Sequence, residues 1–211
     1  MKRLSFLIVM VSFLQNVKAQ LGPIELMVGD KYVHYQHSHS QALKPGSRFG
    51  WQHIATLIKR YNVNTEKGGM PDELMNQGYL TFRLHSLLTL KGGLFYTNVG
   101  GYQPTIGIQF FWNNKDWAVI AAPRIDIIKN GAYELFTMAE FSPSIGRGIK
   151  LYTRVQAMIN FSNAGHNRSY QLFRAGVELN GFQLGGGVTL DEYGTSGRVH
   201  YNSGVFVRRL L

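Results

Sequence analysis

A two-residue rhythm of apolar and polar side chains, sustained over segments of about ten residues, limits the folds open to this chain more than any other feature. Leu80, Phe82 and Leu84 alternate with Tyr79, Thr81, Arg83 and His85. Beyond a tight turn at Ser86-Leu87, Leu88, Leu90, Gly92, Leu94 and Tyr96 alternate with Thr89, Lys91, Gly93, Phe95 and Thr97. The same rhythm returns at Ile106–Trp112, Trp117–Ile127, Leu151–Ile159, Phe182–Leu190 and Val199–Val207. Side chains on a strand alternate between two faces, so each segment reads as a strand with one apolar face. Helical spacing is nearly absent. The chain is all-β.

Alternation does not say which face meets solvent. In a soluble exported barrel binding an apolar ligand, the apolar face would line the interior; in a membrane barrel it faces lipid and the polar face lines the lumen. Three features point to the membrane. The segments match the length of a bilayer-spanning strand. Tight turns at Ser86-Leu87, Asn113–Lys115 and Asn180-Gly181 alternate with longer connections at Asn98–Gln103, Lys129–Ala132 and Asn160–Ser169, as short periplasmic turns and longer outer loops would. The N-terminus reads as a signal peptide over 1–19: Lys2 and Arg3, an apolar stretch from Leu4 to Leu14, then Val17-Lys18-Ala19 before Gln20. That implies Sec-type export. Trp112 and Trp117 flank one tight turn, while Tyr96 and Tyr133 lie near the opposite strand ends, as two interfacial girdles would.

Composition removes other classes. The 211 residues contain no cysteine, which excludes disulfide scaffolds and Cys-ligated zinc or iron–sulfur centres. The formal charge of +10 includes Lys2, Arg3 and Lys18 of the leader, and the remaining Lys and Arg are scattered along the chain with no run longer than two. An exported chain without a basic cluster is no nucleic-acid binder; its partner is the lipid bilayer. No cofactor motif is present, since Gly92-Gly93, Gly100-Gly101 and Gly185-Gly186-Gly187 lack phosphate-loop spacing.

From about Gly50 to Leu211, with a tail of Tyr201-Asn202-Ser203-Gly204-Val205-Phe206-Val207, the chain resembles the small outer-membrane β-barrel proteins of Gram-negative bacteria, including the Bacteroidota kind. The resemblance implies an antiparallel up-and-down barrel in the outer membrane, with a structural, adhesive or accessory binding role and a protein partner in a larger envelope complex. One departure is the ending Arg208-Arg209-Leu210-Leu211, where such barrels usually finish on an aromatic residue. Counting back from the tail gives ten strands within a range of 8–12, in a single domain over 20–211, and an even count leaves both ends of the barrel chain periplasmic. Residues 20–47 are surplus, either an extra hairpin or a segment against the barrel. The stretch from Tyr61 to Asn76 reads as an outer loop or lid.

The inverted pattern sends Arg83, Lys91, Arg124, Asp126, Glu134, Glu140, Arg154, Arg174, Glu178 and Asp191 into the lumen. Five are basic and five acidic, which predicts a charge-paired, largely closed lumen rather than a pore with a ring of one sign. Arg83, Arg154 and Arg174 are expected to pair with Glu134, Glu140 and Glu178 from neighbouring strands. His34, His37 and His39 form the densest histidine cluster. On a strand His37 and His39 share one face and His34 takes the other, so a three-histidine metal set is not expected; two histidines with Asp191 or Glu192 would be the alternative. Some barrels hydrolyse lipids with a serine activated by histidine. His37 or His39 with Ser40, and His166 with Ser169, are the candidate pairs here, although neither spacing is the His-x-Ser of barrel phospholipases and lipid A deacylases. Catalysis is therefore not the leading expectation.

Overall fold

The computed structural model describes residues 22–63 and 70–210. The signal peptide expected over 1–19 lies outside them, and the described residues form one closed barrel. Its strands are β1 (Ile24–Gly29), β2 (Tyr32–Ala42), β3 (Phe49–Arg60), β4 (Glu73–His85), β5 (Leu88–Thr97), β6 (Gly101–Asn113), β7 (Trp117–Asp126), β8 (Tyr133–Phe141), β9 (Ser144–Gly146), β10 (Ile149–Ser162), β11 (Gly165–Leu179), β12 (Phe182–Tyr193) and β13 (Val199–Arg209). Every pairing is antiparallel, and β13 pairs with β1 to close the ring. The short β9 pairs only with β10, outside the ring of twelve. Closure matters because a strand edge in hydrocarbon would leave backbone N–H and C=O groups without partners.

The barrel has twelve strands, the upper end of the expected range, because residues 24–42 supply the extra hairpin, β1–β2, between β13 and β3. Its rhythm is obscured because the outward face of β2 reads Val33, Tyr35, His37, His39, Gln41, which is mostly polar. The loop expected at 160–169 is instead strand: β10 and β11 run on to a two-residue connection at Asn163-Ala164. Long outer connections are accordingly fewer than expected, and the longest runs from Tyr61 to Asp72. Its far end is tied back to β3, where Lys59 Nζ donates to Asp72 Oδ2 at 2.5 Å and the Arg60 N–H donates to Oδ1 at 2.9 Å. These hydrogen bonds hold the Asp72 carboxyl below its ordinary range.

Both ends of the described chain share a rim with the turns Ser86-Leu87 and Asn180-Gly181, the periplasmic rim in the usual orientation. Asn180 and Gly181 both have positive φ, 51° and 74°, as the tightest hairpin turn requires. The outer wall is apolar at mid-height, with Leu26, Leu57, Leu94, Val155, Phe173 and Val205 exposed. Aromatic girdles bound it. Phe49, Trp51, Trp112, Trp117 and Phe182 lie at the periplasmic rim, and Tyr61, Tyr102, Tyr133, Phe161 and Tyr201 at the other. Neighbours stack across the strands, with ring centroids 4.6 Å apart for Trp117–Phe141 and 4.7 Å for Tyr96–Tyr102. The polar face is turned inward: Gln52, Gln77, Lys91, Arg124, Arg154, Gln183 and Asn202 are all buried.

The Gly185-Gly186-Gly187 run marks a close approach between strands. A Cβ on Gly185 would lie 2.1 Å from the Ala175 carbonyl oxygen, whereas one on Gly186 would meet nothing nearer than 3.8 Å. Gly187 leaves room for the Arg174 side chain, whose Cδ would lie 2.7 Å from an added Cβ. Gly185→Ala should therefore destabilise the barrel by about 1–3 kcal/mol through overpacking, while Gly186→Ala should stay within about 0.5 kcal/mol. Thermal unfolding of the refolded protein in detergent would separate the two.

Candidate functional site

The lumen is filled by three clusters of charge. The first is centred on Glu25 of β1, only 1% exposed. Arg154 of β10 and Arg174 of β11 stand directly opposite one another, an unfavourable like-charge pair on adjacent strands. Glu25 reaches both from across the barrel. Its Oε2 accepts from Arg154 Nη2 at 2.5 Å, its Oε1 from Arg174 Nε at 3.1 Å, and Gln36 adds a bond to Oε1 at 3.0 Å. Glu140 accepts from Arg208 Nη2 at 2.8 Å and lies 3.9 Å from Arg154. Arg208 also donates to Gln183 and to the Tyr152 hydroxyl. Three guanidiniums thus share two carboxylates, and Arg154 Nε, Arg174 Nη2 and Arg208 Nε have no hydrogen-bond partner among the described residues.

The second cluster lies on β7 and β8. Arg124 meets Glu134 in a two-point fork, Nε to Oε1 at 2.8 Å and Nη2 to Oε2 at 2.7 Å, and Nη1 reaches Asp126 at 2.5 Å. Its guanidinium also covers the Phe95 ring, 3.9 Å from the centroid.

The third cluster crosses the outer mouth. Arg168 of β11 holds Asp191 of β12 in a fork, at 2.9 and 2.6 Å, and Glu73 of β4 at 2.7 Å. Glu73 also accepts from the Tyr193 hydroxyl at 2.6 Å and pairs with Arg60 of β3. In the ring of twelve, β4 and β11 are six strands apart in either direction. This strap therefore spans the full width of the barrel.

Between the clusters lies a cavity of about 360 Å³. One wall is apolar, made by Phe111, Ile120, Phe136, Met138 and Met158. The facing wall carries Gln36, Ser38, Gln52 and Gln77, and charge enters from Lys91 and four arginines, Arg124, Arg154, Arg168 and Arg208, against three carboxylates, Glu25, Glu134 and Glu140. The ring of Phe111 points inward yet is 39% exposed, and Ala118 and Pro23 beside the same rim are part-exposed. The chamber thus runs out toward the periplasmic rim. On the outside, Leu80, Phe82, Leu90, Ile106 and Ile125 surround a shallow apolar hollow at Gly92, which lipid would fill.

Of the charges expected in the lumen, Lys91, Arg124, Asp126, Arg154, Arg174, Glu178 and Asp191 are buried there, and Glu134 and Glu140 are part-buried. Arg83 is not among them. It keeps the parity of Tyr79 and Thr81 but lies close to the Ser86-Leu87 turn, exposed at the rim, where it donates to the Ser47 carbonyl at 3.3 Å. Glu140 lies within ion-pair distance of the expected Arg154, at 3.9 Å, though nearer to Arg208; the other partners differ, Glu134 taking Arg124 and Glu178 taking Lys150. Glu25, Arg60, Glu73, Arg168, Tyr193 and Arg208 escaped the sequence reading. Glu25 sits between outward Ile24 and Leu26, and Arg208 shares parity with inward Phe206, so for these two the signal was present.

The histidine cluster divides as strand parity requires. His34 is buried inside, while His37 and His39 face outward. His37 lies between the Tyr35 hydroxyl, 2.9 Å away, and His53, 2.8 Å away. His39 stacks on Trp51 and accepts from the Gly22 N–H at 3.3 Å. Ser40 has the opposite parity to both histidines, so the candidate dyad with Ser40 is not assembled. Among the described residues no three His, Asp or Glu converge as a metal set. Trp112, Trp117, Tyr96 and Tyr133 all lie on the outward face at the strand ends.

No family model matches the sequence, and no curated protein matches it. Solved structures do. The NanC porin superposes with a TM-score of 0.51 at 10% identity, covering 90% of this chain and 99% of that one. A KdgM porin gives 0.49 at 9% identity over 90% and 98% of the two chains. LpxR from Salmonella typhimurium gives 0.45 at 9% identity over 90% and 99%. At 10% identity the likeness to the NanC porin carries the outer-membrane barrel fold and nothing finer, the Bacteroidota kind included.

Removing the hub carboxylate should leave two facing arginines buried without compensation. Glu25→Gln is expected to cost about 3–5 kcal/mol, read as a lowered unfolding midpoint in detergent. Arg83→Met, at the rim, should leave that midpoint unchanged.

Proposed function

We propose that this outer-membrane barrel is a non-conducting binding protein. Its lumen is a one-ended chamber, closed at the outer mouth and approached from the periplasmic rim. The observation that carries this reading is the strap of Arg60, Glu73, Arg168, Asp191 and Tyr193 across the full width of the barrel. A selective pore is usually lined by a ring of one sign, left open for the ion or solute. Here opposite charges meet at hydrogen-bond distance and cancel.

The chamber beneath the strap has the chemistry of a small amphiphile with an anionic head. The apolar wall of Phe111, Ile120, Phe136 and Met138 suits a hydrocarbon chain, and the Lys91 ammonium, on a lining where cations outnumber carboxylates, suits a carboxylate. The accessory binding role implied by the barrel resemblance is placed by this reading in the lumen rather than in the outer loops.

Planar bilayer recording tests the closure. Wild-type protein is expected to insert without a steady conductance, and the Glu73→Ala, Arg168→Ala double variant to conduct. An open wild-type channel would overturn the reading. The ligand class is tested in nanodiscs. Dodecanoate should raise the unfolding midpoint, dodecyltrimethylammonium should not, and Lys91→Met should weaken the dodecanoate shift.

A further inference from the structure

His166 and Ser169 are three residues apart, so on a regular strand they would point to opposite faces. They do not, because β11 is irregular here. Its pairing with β10 runs Ile159↔Ser169 and Asn160↔Arg168, then shifts to Phe161↔His166, which leaves Asn167 as an extra residue. Such a bulge re-aims the side chains beside it. Ile159 and Phe161 are outward and exposed, at 40% and 42%, and their register partners Ser169 and His166 share that face.

The bulge brings the two side chains into contact. His166 Nε2 lies 3.0 Å from Ser169 Oγ, and His166 Nδ1 lies 2.5 Å from the Gly194 carbonyl oxygen. A carbonyl oxygen can only accept, so Nδ1 must carry the proton. In the neutral ring Nε2 is then the bare nitrogen, and the Ser169 hydroxyl donates to it. This is the tautomer a general base needs, held by a third group as in other activated serines. Both residues are half-buried, so their atoms remain reachable. On the β10 side of them Leu135, Tyr133, Phe161 and Ile159 form an apolar, lipid-facing surface at the outer rim, and on the β12 side Glu192 stands opposite Ser169 on the same face.

We propose that His166 and Ser169 are a catalytic dyad that hydrolyses acyl esters presented by the lipid layer. Ser169 Oγ attacks the ester carbonyl carbon as its proton passes to His166 Nε2. The tetrahedral adduct collapses, the carbon–oxygen bond to the alcohol breaks, and the imidazolium gives its proton to the departing alkoxide. Water then attacks the acyl-serine with His166 again taking the proton, which releases a fatty acid and restores the hydroxyl. No metal or cofactor is required. The dyad faces lipid rather than the lumen, so this inference stands apart from the chamber.

The test is covalent labelling with a fluorophosphonate probe, together with fatty-acid release from phosphatidylcholine vesicles. Folding of each variant is checked by its heat-dependent migration on a gel. Folded wild-type protein should label at Ser169 and release fatty acid. Ser169→Ala, a small change on a half-exposed site, should fold, lose the label and lose release. His166→Ala should slow release at least about a hundredfold, and His166→Gln serves in its place should it fail to fold. Absence of labelling in folded wild type, or label persisting in Ser169→Ala, would overturn the proposal.

Discussion

Arg154 and Arg174 face each other across neighbouring strands, and the barrel holds them there only because Glu25 lies between. Glu25 belongs to β1, the strand that seals β13 to β2. One residue thus couples two requirements: the ring must close so that no backbone edge meets lipid, and the lumen charge must cancel so that guanidiniums tolerate burial. Arg208, Glu140, Tyr152 and Gln183 continue the same network toward the periplasmic rim. Loss of β1 would open the wall and strand the arginines together.

Charge is also what divides the interior. Cross-strand pairs such as Arg124 with Glu134 stiffen one wall locally, because both groups come from adjacent strands. The Arg168–Glu73 pair is of another kind, since it joins strands on opposite sides of the ring. A contact of that length holds the wall shape as well as covering the mouth. The remaining space is amphipathic because β6, β7 and β8 turn Phe111, Ile120, Phe136 and Met138 inward, against the general inversion of the barrel.

The same strand irregularity that a barrel tolerates at its rim creates chemical possibilities outside it. At Asn167 a single extra residue offsets the parity on its two sides, so His166 and Ser169 meet on the lipid side. The polar outward face of β2, with Tyr35 and His37 bonded in a row to His53 and Asn76, departs from the apolar exterior as well. It satisfies its own hydrogen bonds along the wall.

Sequence alone determined the class of fold and the inward and outward faces of most strands. The physical reason is local: a strand alternates with period two, and lipid outside demands the apolar set. Its failures were of the same origin. The hairpin β1–β2 stayed one of two alternatives because the outward residues of β2 are polar, and Arg83 is exposed because its strand reaches the rim there, which the rhythm does not show. Only the tertiary structure decided the ring of twelve, the partners of each charge and the meeting of His166 with Ser169. Those depend on closure, which brings Glu25 of β1 within reach of β10 and β11 across the lumen, and sets Glu73 of β4 opposite Arg168 of β11. Distances across a closed ring are fixed by the number of strands, and no local pattern in the chain carries that number.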